Sequence, residues 1–143
     1  MKTTDIANDV FTTTHDSCNI LVDLLLSYGV EHTIISPGSR NAPIIIALNR
    51  CDEIQKHVII DERSAAFAAL GMAQVSNKPV AIVCTSGSAV LNYAPAVAEA
   101  FYQHIPLIII SADRPYEWID QNDSQTIIQA GILNNIVKHS YDI

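Results

Sequence analysis

Four short apolar runs, mostly β-branched, punctuate the chain: Thr33-Ile34-Ile35, Val58-Ile59-Ile60, Val80-Ala81-Ile82-Val83-Cys84 and Leu107-Ile108-Ile109-Ile110. None alternates with polar residues, so each reads as a strand covered on both faces, as in parallel rather than half-exposed antiparallel sheets. Helical spacing fills the intervals. Residues 17–28 place Ile20, Leu21, Leu24 and Leu25 on one stripe and stop at Gly29, a residue suited to the left-handed conformation that ends helices. Residues 63–74 are dominated by Ala and can lie close against a sheet or another subunit, and residues 88–102 space Val90, Ala94, Val97 and Phe101 along one face. Strand and helix therefore alternate. Short connections with right-handed crossovers then give a doubly wound, mostly parallel α/β sheet with helices on both faces.

A chain of 143 residues buries about 68–70% of its unfolded surface as one domain, so residues 1–143 are read as a single domain. Residues 116–129 are too polar for a core and read as a loop carrying functional side chains, with a short helix start at Asp123 or Ser124. After Lys138-His139-Ser140-Tyr141, where a strand could begin or a linker leave, the chain stops at Ile143, an ending expected of a fragment of a longer protein. Fifteen acidic against 8 basic residues give a net charge of −7 with no Lys/Arg cluster, which argues against nucleic acid as a partner. Cys18, Cys51 and Cys84 are an odd, widely spaced set that fits neither a disulfide framework nor a Cys-x-x-Cys site, and a reducing, cytoplasmic compartment is expected. Residues 1–14 lack the order of a signal peptide, and the longest apolar run, broken by Pro106, is too short for a membrane span.

Spacing excludes several chemistries. The five glycines, at 29, 38, 71, 87 and 131, form neither Gly-x-Gly-x-x-Gly nor the phosphate loop Gly-x-x-x-x-Gly-Lys. Ser86-Gly87-Ser88 follows a strand, yet neither serine has the Gly-x-Ser-x-Gly flanks of a nucleophile elbow. His15, His32, His57, His104 and His139 stand singly and read as strand-edge or surface residues, so no metal site is assigned.

Ligands of a doubly wound sheet bind beyond the carboxyl ends of its strands, which brings four groups to one edge. They are Ser36-Pro37-Gly38-Ser39-Arg40-Asn41, Asp61-Glu62-Arg63, Thr85-Ser86-Gly87-Ser88 and Ser111-Ala112-Asp113-Arg114-Pro115. Glu62 stands where an apolar run meets an Ala-rich helix. Water is expected to be scarce there and a charge costly, the setting of a proton-transfer carboxylate. Each group also has a plainer reading. Ser36-Pro37-Gly38 is a tight turn with Arg40 at a helix start, Glu62 complements a helix dipole, Thr85 to Ser88 cap a helix, and Asp113-Arg114 close a turn as an ion pair.

Taken together, Ser-Pro-Gly-Ser-Arg at 36–40, Asp-Glu-Arg at 61–63, Thr-Ser-Gly-Ser-Ala at 85–89, Ala-Asp-Arg-Pro at 112–115 and Gln125 in Ser-Gln-Thr-Ile resemble a known family. They are similar to the N-terminal, pyrimidine-binding domain of the 2-succinyl-5-enolpyruvyl-6-hydroxy-3-cyclohexene-1-carboxylate synthases, thiamine-diphosphate enzymes of menaquinone biosynthesis. The resemblance covers nearly the whole chain in order. It implies decarboxylation of 2-oxoglutarate on thiamine diphosphate and addition of the resulting succinyl semialdehyde carbanion equivalent to isochorismate. Glu62 matches the family's activating glutamate, which shares a proton with N1′ of the aminopyrimidine so that the 4′-imino nitrogen can take the proton from C2 of the thiazolium. Arg40 and Arg114 match arginines that meet substrate carboxylates, and Ser39 and Gln125 match polar residues on substrate or cofactor. Ser86 and Gly87 match the segment beside the aminopyrimidine, where glycine lets backbone approach.

The family's chain is several times longer. Its diphosphate and Mg²⁺ are held by a C-terminal domain with a Gly-Asp-Gly motif that this sequence lacks. The resemblance thus implies half a site, completed by the thiamine-diphosphate-binding domain of a partner subunit in a homodimer or homotetramer. An isolated chain is expected to be inactive and to bind the cofactor weakly. Two rival readings are an acetolactate synthase or 2-oxoacid decarboxylase, which has no need of both arginines, and a non-catalytic α/β domain kept for subunit contacts.

Overall fold

In the computed structural model, which describes residues 15–119, 121 and 124–142, four parallel strands form one sheet in the order β2-β1-β3-β4. The strands are β1 (His32–Ile35), β2 (Gln55–Val58), β3 (Val80–Cys84) and β4 (Leu107–Ser111). The helices are α1 (Asp16–Ser27), α2 (Ala42–Asn49), α3 (Glu62–Ser76) and α4 (Ala94–Gln103). From β1 the chain moves outward to β2, then returns to the other side of β1 for β3 and continues to β4. That reversal leaves a crevice between the carboxyl ends of β1 and β3, the place where open α/β sheets bind ligands.

Alternate strand residues serve opposite layers. Ile34, Val80, Ile82 and Cys84 pack with Ala65, Ala66, Ala69 and Ala73 of α3 and with Tyr93, Ala96 and Val97. Ile35, Ala81 and Val83 pack with Val22 and Leu25 of α1 and Ala47 and Leu48 of α2. Both faces are covered, and burying each large aliphatic side chain contributes roughly 1.5–3 kcal/mol. The Ala stripe lets α3 lie close to the sheet, as its composition suggests. At the end of α1, Gly29 N–H bonds Leu26 O at 2.9 Å and Val30 N–H bonds Leu25 O at 3.0 Å. This is the paired closure expected of a left-handed glycine stop.

The second strand departs from expectation. It runs from Gln55 to Val58 rather than over 58–60, and it is an edge strand with exposed ends, so polar Lys56 and His57 are tolerated there. Ile59 N–H still bonds Ile35 O at 3.0 Å, but Ile60 is 80% exposed. The run is not buried on both faces. Full coverage holds for central β3, while β4, the other edge, is half-buried throughout.

The expected helix over 88–102 is split into a 3₁₀ segment, Gly87–Tyr93, and α4. Pro95 lies in the first turn of α4, where its missing N–H costs nothing and its ring stops a continuous α-helix from passing through. Helix α2 begins two residues after Arg40, with a proline in its own first turn. No helix starts at Ser124, which sits in a turn at φ 51°, and Asp123 lies outside the described residues. No strand forms over 138–141. The histidines are not all single: His32 Nδ1 and His57 Nε2 lie 3.2 Å apart across β1 and β2, and His104 ends α4 at φ 58°. Parallel pairing in register places those two rings on the same face of neighbouring strands, a proximity that sequence separation hides.

Candidate functional site at the carboxyl edge of the sheet

The loop after β1 is held from within. Asn41, fully buried, donates from Nδ2 to Ser36 O at 3.0 Å and accepts the Gly38 N–H on Oδ1 at 2.8 Å. Ser36 Oγ donates to Ile59 O at 2.8 Å, tying this loop to the segment leading to Glu62. Ser39 is left exposed on the outside of the turn, and Arg40 is half-buried with its guanidinium 5.0 Å above the Trp118 ring. Such a cation–π contact supplies roughly 0.5–1 kcal/mol at an exposed site and orients the arginine.

Asp61 and Glu62 have separate tasks. Asp61 caps α3, its Oδ1 accepting Ser64 N–H at 2.7 Å, and this backbone hydrogen bond holds its carboxyl below the usual range. Glu62 is the first residue of the helix and half-buried. Among the described residues it makes no hydrogen bond or ion pair. Its charge reaches the floor of the site. Burial pushes the Cys84 thiol up to about 12, with the Glu62 charge adding to the rise and Tyr93 opposing it. Burial raises the Tyr93 phenol as well, with Cys84 and Glu62 adding. Tyr93 is wholly enclosed, and its hydroxyl completes no hydrogen bond of ordinary geometry.

The loops after β1 and β3 touch at the crevice: a Cβ on Gly38 would come within 2.5 Å of the Thr85 side chain. Beyond Thr85, Gly87 turns at φ 83°, and a Cβ there would drive into the Gln125 carbonyl. Gln125 Nε2 donates to Ser86 O at 2.7 Å, and Ser88 N–H bonds Gln125 O at 3.1 Å. Ser86, Gly87 and Gln125, all singled out from sequence, are thus in direct contact. Ser86 is buried and offers its backbone; Gln125 is exposed. Arg114, half-buried, follows β4 and lines a cleft of about 520 Å³ with Asp113, Pro115, Tyr116, Ile119 and Asp142. The Asp113 carboxylate accepts the Arg114 backbone N–H at 2.7 Å, so it closes the turn through backbone.

Asn41 stands in the first strand-end group, but its bracing role, like the contacts of Gln129 and Trp118, is not specified by the sequence. Gln129 is a lone amide beside Ile127 and Ile128, the one signal that could have found it, since a buried amide requires partners. Among the described residues no group of three or more His, Cys, Asp or Glu side chains is placed to hold a metal ion, and no helix is long and apolar enough to cross a membrane.

The carboxyl edge thus carries a half-buried carboxyl at Glu62 with no hydrogen bond or ion pair among the described residues, and a glycine turn whose Ser86 O, Gly87 N–H and Ser88 N–H are held by Gln125 and Gln129. The family described as thiamine pyrophosphate enzyme, N-terminal TPP binding domain, matches residues 16–132. The chain is 54% identical over 120 residues to a 2-succinyl-5-enolpyruvyl-6-hydroxy-3-cyclohexene-1-carboxylate synthase of Porphyromonas gingivalis, covering 84% of this chain and 21% of the relative. Identity to the synthase of the same name from Christiangramia forsetii is 55% over 123 residues, 86% of this chain and 21% of the relative. For Bacteroides fragilis it is 48% over 130 residues, 90% and 23%. The chain thus spans about a fifth of the length of these curated relatives. With the family matching most of its length and the parallel sheet to carry it, the chain belongs to the thiamine pyrophosphate enzyme N-terminal TPP-binding domains.

Proposed function

We propose that this chain is the pyrimidine-binding domain of a thiamine-diphosphate-dependent synthase that decarboxylates 2-oxoglutarate and joins the remaining four-carbon unit to isochorismate. The observation that carries the reading is Glu62: half-buried at the head of α3, relieved of capping by Asp61, and without a hydrogen bond or ion pair among the described residues. Bound thiamine diphosphate supplies the electron sink for decarboxylation and carbon–carbon bond formation. Glu62 holds and returns a proton at a ring nitrogen, help that contributes roughly 10²- to 10⁴-fold. The Ser86-Gly87 turn, held by Gln125 at Ser86 O and by Gln129 at Gly87 N–H, has a glycine that lets its backbone lie close to the pyrimidine plane.

Both substrates are anions and the chain is net acidic, so local cations must hold them. Arg40, oriented by Trp118, and Arg114 supply guanidinium forks that match carboxylates. Ser39, exposed beside Arg40, adds a hydroxyl. Asp113 and Asp142 share the Arg114 cleft, so that arginine selects a carboxylate only in concert with other cations. We assign the diphosphate and Mg²⁺ to a thiamine-diphosphate-binding domain of a partner subunit in a homo-oligomer. The free cysteines Cys18, Cys51 and Cys84 suit a reducing, cytoplasmic setting.

The test is steady-state turnover by the full-length protein containing this chain, with thiamine diphosphate and Mg²⁺. Joint consumption of 2-oxoglutarate and isochorismate with release of CO₂ is expected. Preference for pyruvate, or decarboxylation indifferent to isochorismate, would move the chain to another 2-oxoacid enzyme of the superfamily.

A further inference from the structure

Gln129 has no part in the site residues named above, yet it is only 8% exposed and its amide is fully engaged. Oε1 accepts the Gly87 N–H, while Nε2 donates to Ser111 Oγ at 3.2 Å and to Ala112 O at 3.0 Å. Its partners lie on two different loops. Gly87 is the turn after β3, and Ser111 and Ala112 are the exit from β4 that leads to Asp113 and Arg114. The two loops leave neighbouring strands, and Ala112 N–H already bonds Cys84 O at 3.1 Å at their root. Gln129 adds a second tie further out.

The residue type is dictated by these partners. One end of one side chain must accept from a backbone N–H and donate to a hydroxyl and a carbonyl, which only an amide can do. A carboxylate would keep the Gly87 bond but face the Ala112 carbonyl with oxygen; an aliphatic side chain would strand all three groups. Gln125 grips the other side of the same turn, through Ser86 O and Ser88 N–H, and leaves no room for a Cβ on Gly87.

We propose that Gln129 is a positioning residue that locks the Ser86-Gly87 turn to the Asp113-Arg114 loop, so that the pyrimidine face and a substrate arginine keep one fixed relation. This rests on the reading of the site given above. Without the lock, each loop retains its own strand but the two move independently. Misplacement of binding groups by an ångström or less has large kinetic consequences.

The experiment uses the full-length protein with Gln129→Glu, Gln129→Leu and Ser111→Ala. Hydrogen exchange without ligand comes first. Gln129→Leu is expected to speed exchange in the peptides around Gly87 and around 111–116 together, with the rest of the sheet unchanged. With ligands, Gln129→Glu is expected to raise both the calorimetric Kd for thiamine diphosphate and the KM for 2-oxoglutarate roughly tenfold, while kcat falls less than threefold. Ser111→Ala, which keeps the amide, is expected to raise the KM alone and by less. Loosening of only one loop, or wild-type Kd and KM in Gln129→Glu, would overturn the proposal. Should both Gln129 variants fail to fold, Ser111→Ala decides it through the same exchange and KM readouts. A wild-type protein that binds thiamine diphosphate but turns over other substrates would fail the functional reading and leave the exchange result standing.

Discussion

The Asp61 carboxylate accepts the Ser64 backbone N–H at 2.7 Å, and this bond releases Glu62, the next residue, from helix capping. The two carboxylates stand side by side at one helix start but do different work. The first is exposed and satisfied by backbone; the second is half-buried and free for a ligand. A helix N-terminus favours either charge electrostatically, so only the hydrogen-bond geometry separates their roles.

Replacing Asp61 with Ala should lower the melting temperature, because Ser64 N–H loses its acceptor. The Ser64 hydrogen bond depresses the folded carboxyl below its ordinary 3.8, so its stabilisation is present above that value and lost as pH falls through the folded pKa. The gap in melting temperature between wild type and variant should therefore stay constant from about pH 8 to pH 5 and close below about pH 4. A gap that widens on acidification would contradict this.

Asn41 is the internal brace of the first loop. Asn41→Ala should strand the Ser36 carbonyl and the Gly38 N–H, a loss of about 2–3 kcal/mol by urea unfolding. A loss under about 0.5 kcal/mol, typical of surface sites, would show that the brace is not needed.

At Gly87 the backbone is left-handed and the space for a Cβ is taken by a neighbouring carbonyl. Gly87→Ala should therefore cost about 2–4 kcal/mol, the sum of a left-handed alanine and local overpacking. It should also weaken cofactor binding, because the 125–129 segment must shift. The checks are urea unfolding and calorimetry with thiamine diphosphate.

Cys84 is fully buried, and its thiol is pushed up to about 12. At pH 8 it is almost wholly protonated and enclosed, hence a poor nucleophile. Iodoacetamide should leave it unmodified in the native protein and label it after unfolding, as read by mass spectrometry of the tryptic peptide. Native labelling would mean that the sheet end opens to solvent.

Much of this was legible in the chain. The non-alternating runs at 80–84 and 107–110 read directly as parallel strands, and the Ala face of α3 read as close packing. The run at 58–60 misled because hydrophobicity reports burial rather than pairing. Lys56 and His57 pair at an edge where polar side chains reach water, and Ile60 falls past the last strand bond. The split of the expected 88–102 helix was signalled by Pro95, which outweighed the apolar spacing. The groups that local sequence assigns to strand ends, Asn41 among them, do stand at that edge. The bracing roles of Asn41 and Gln129 are not legible, because they are hydrogen bonds to groups that no local pattern specifies: Asn41 reaches backward over its own turn, and Gln129 reaches across to two strands distant in sequence.

The most direct measurement compares kcat of the full-length protein carrying Glu62→Gln with that carrying Asp61→Ala, each normalised to folded, cofactor-loaded molecules. Glu62→Gln is predicted to lose two or more decades of turnover with an unchanged melting temperature, and Asp61→Ala to lose stability but stay within a few-fold of wild-type turnover. Near-wild-type turnover in Glu62→Gln, or an equal collapse in both, would contradict the division of labour on which the functional account stands.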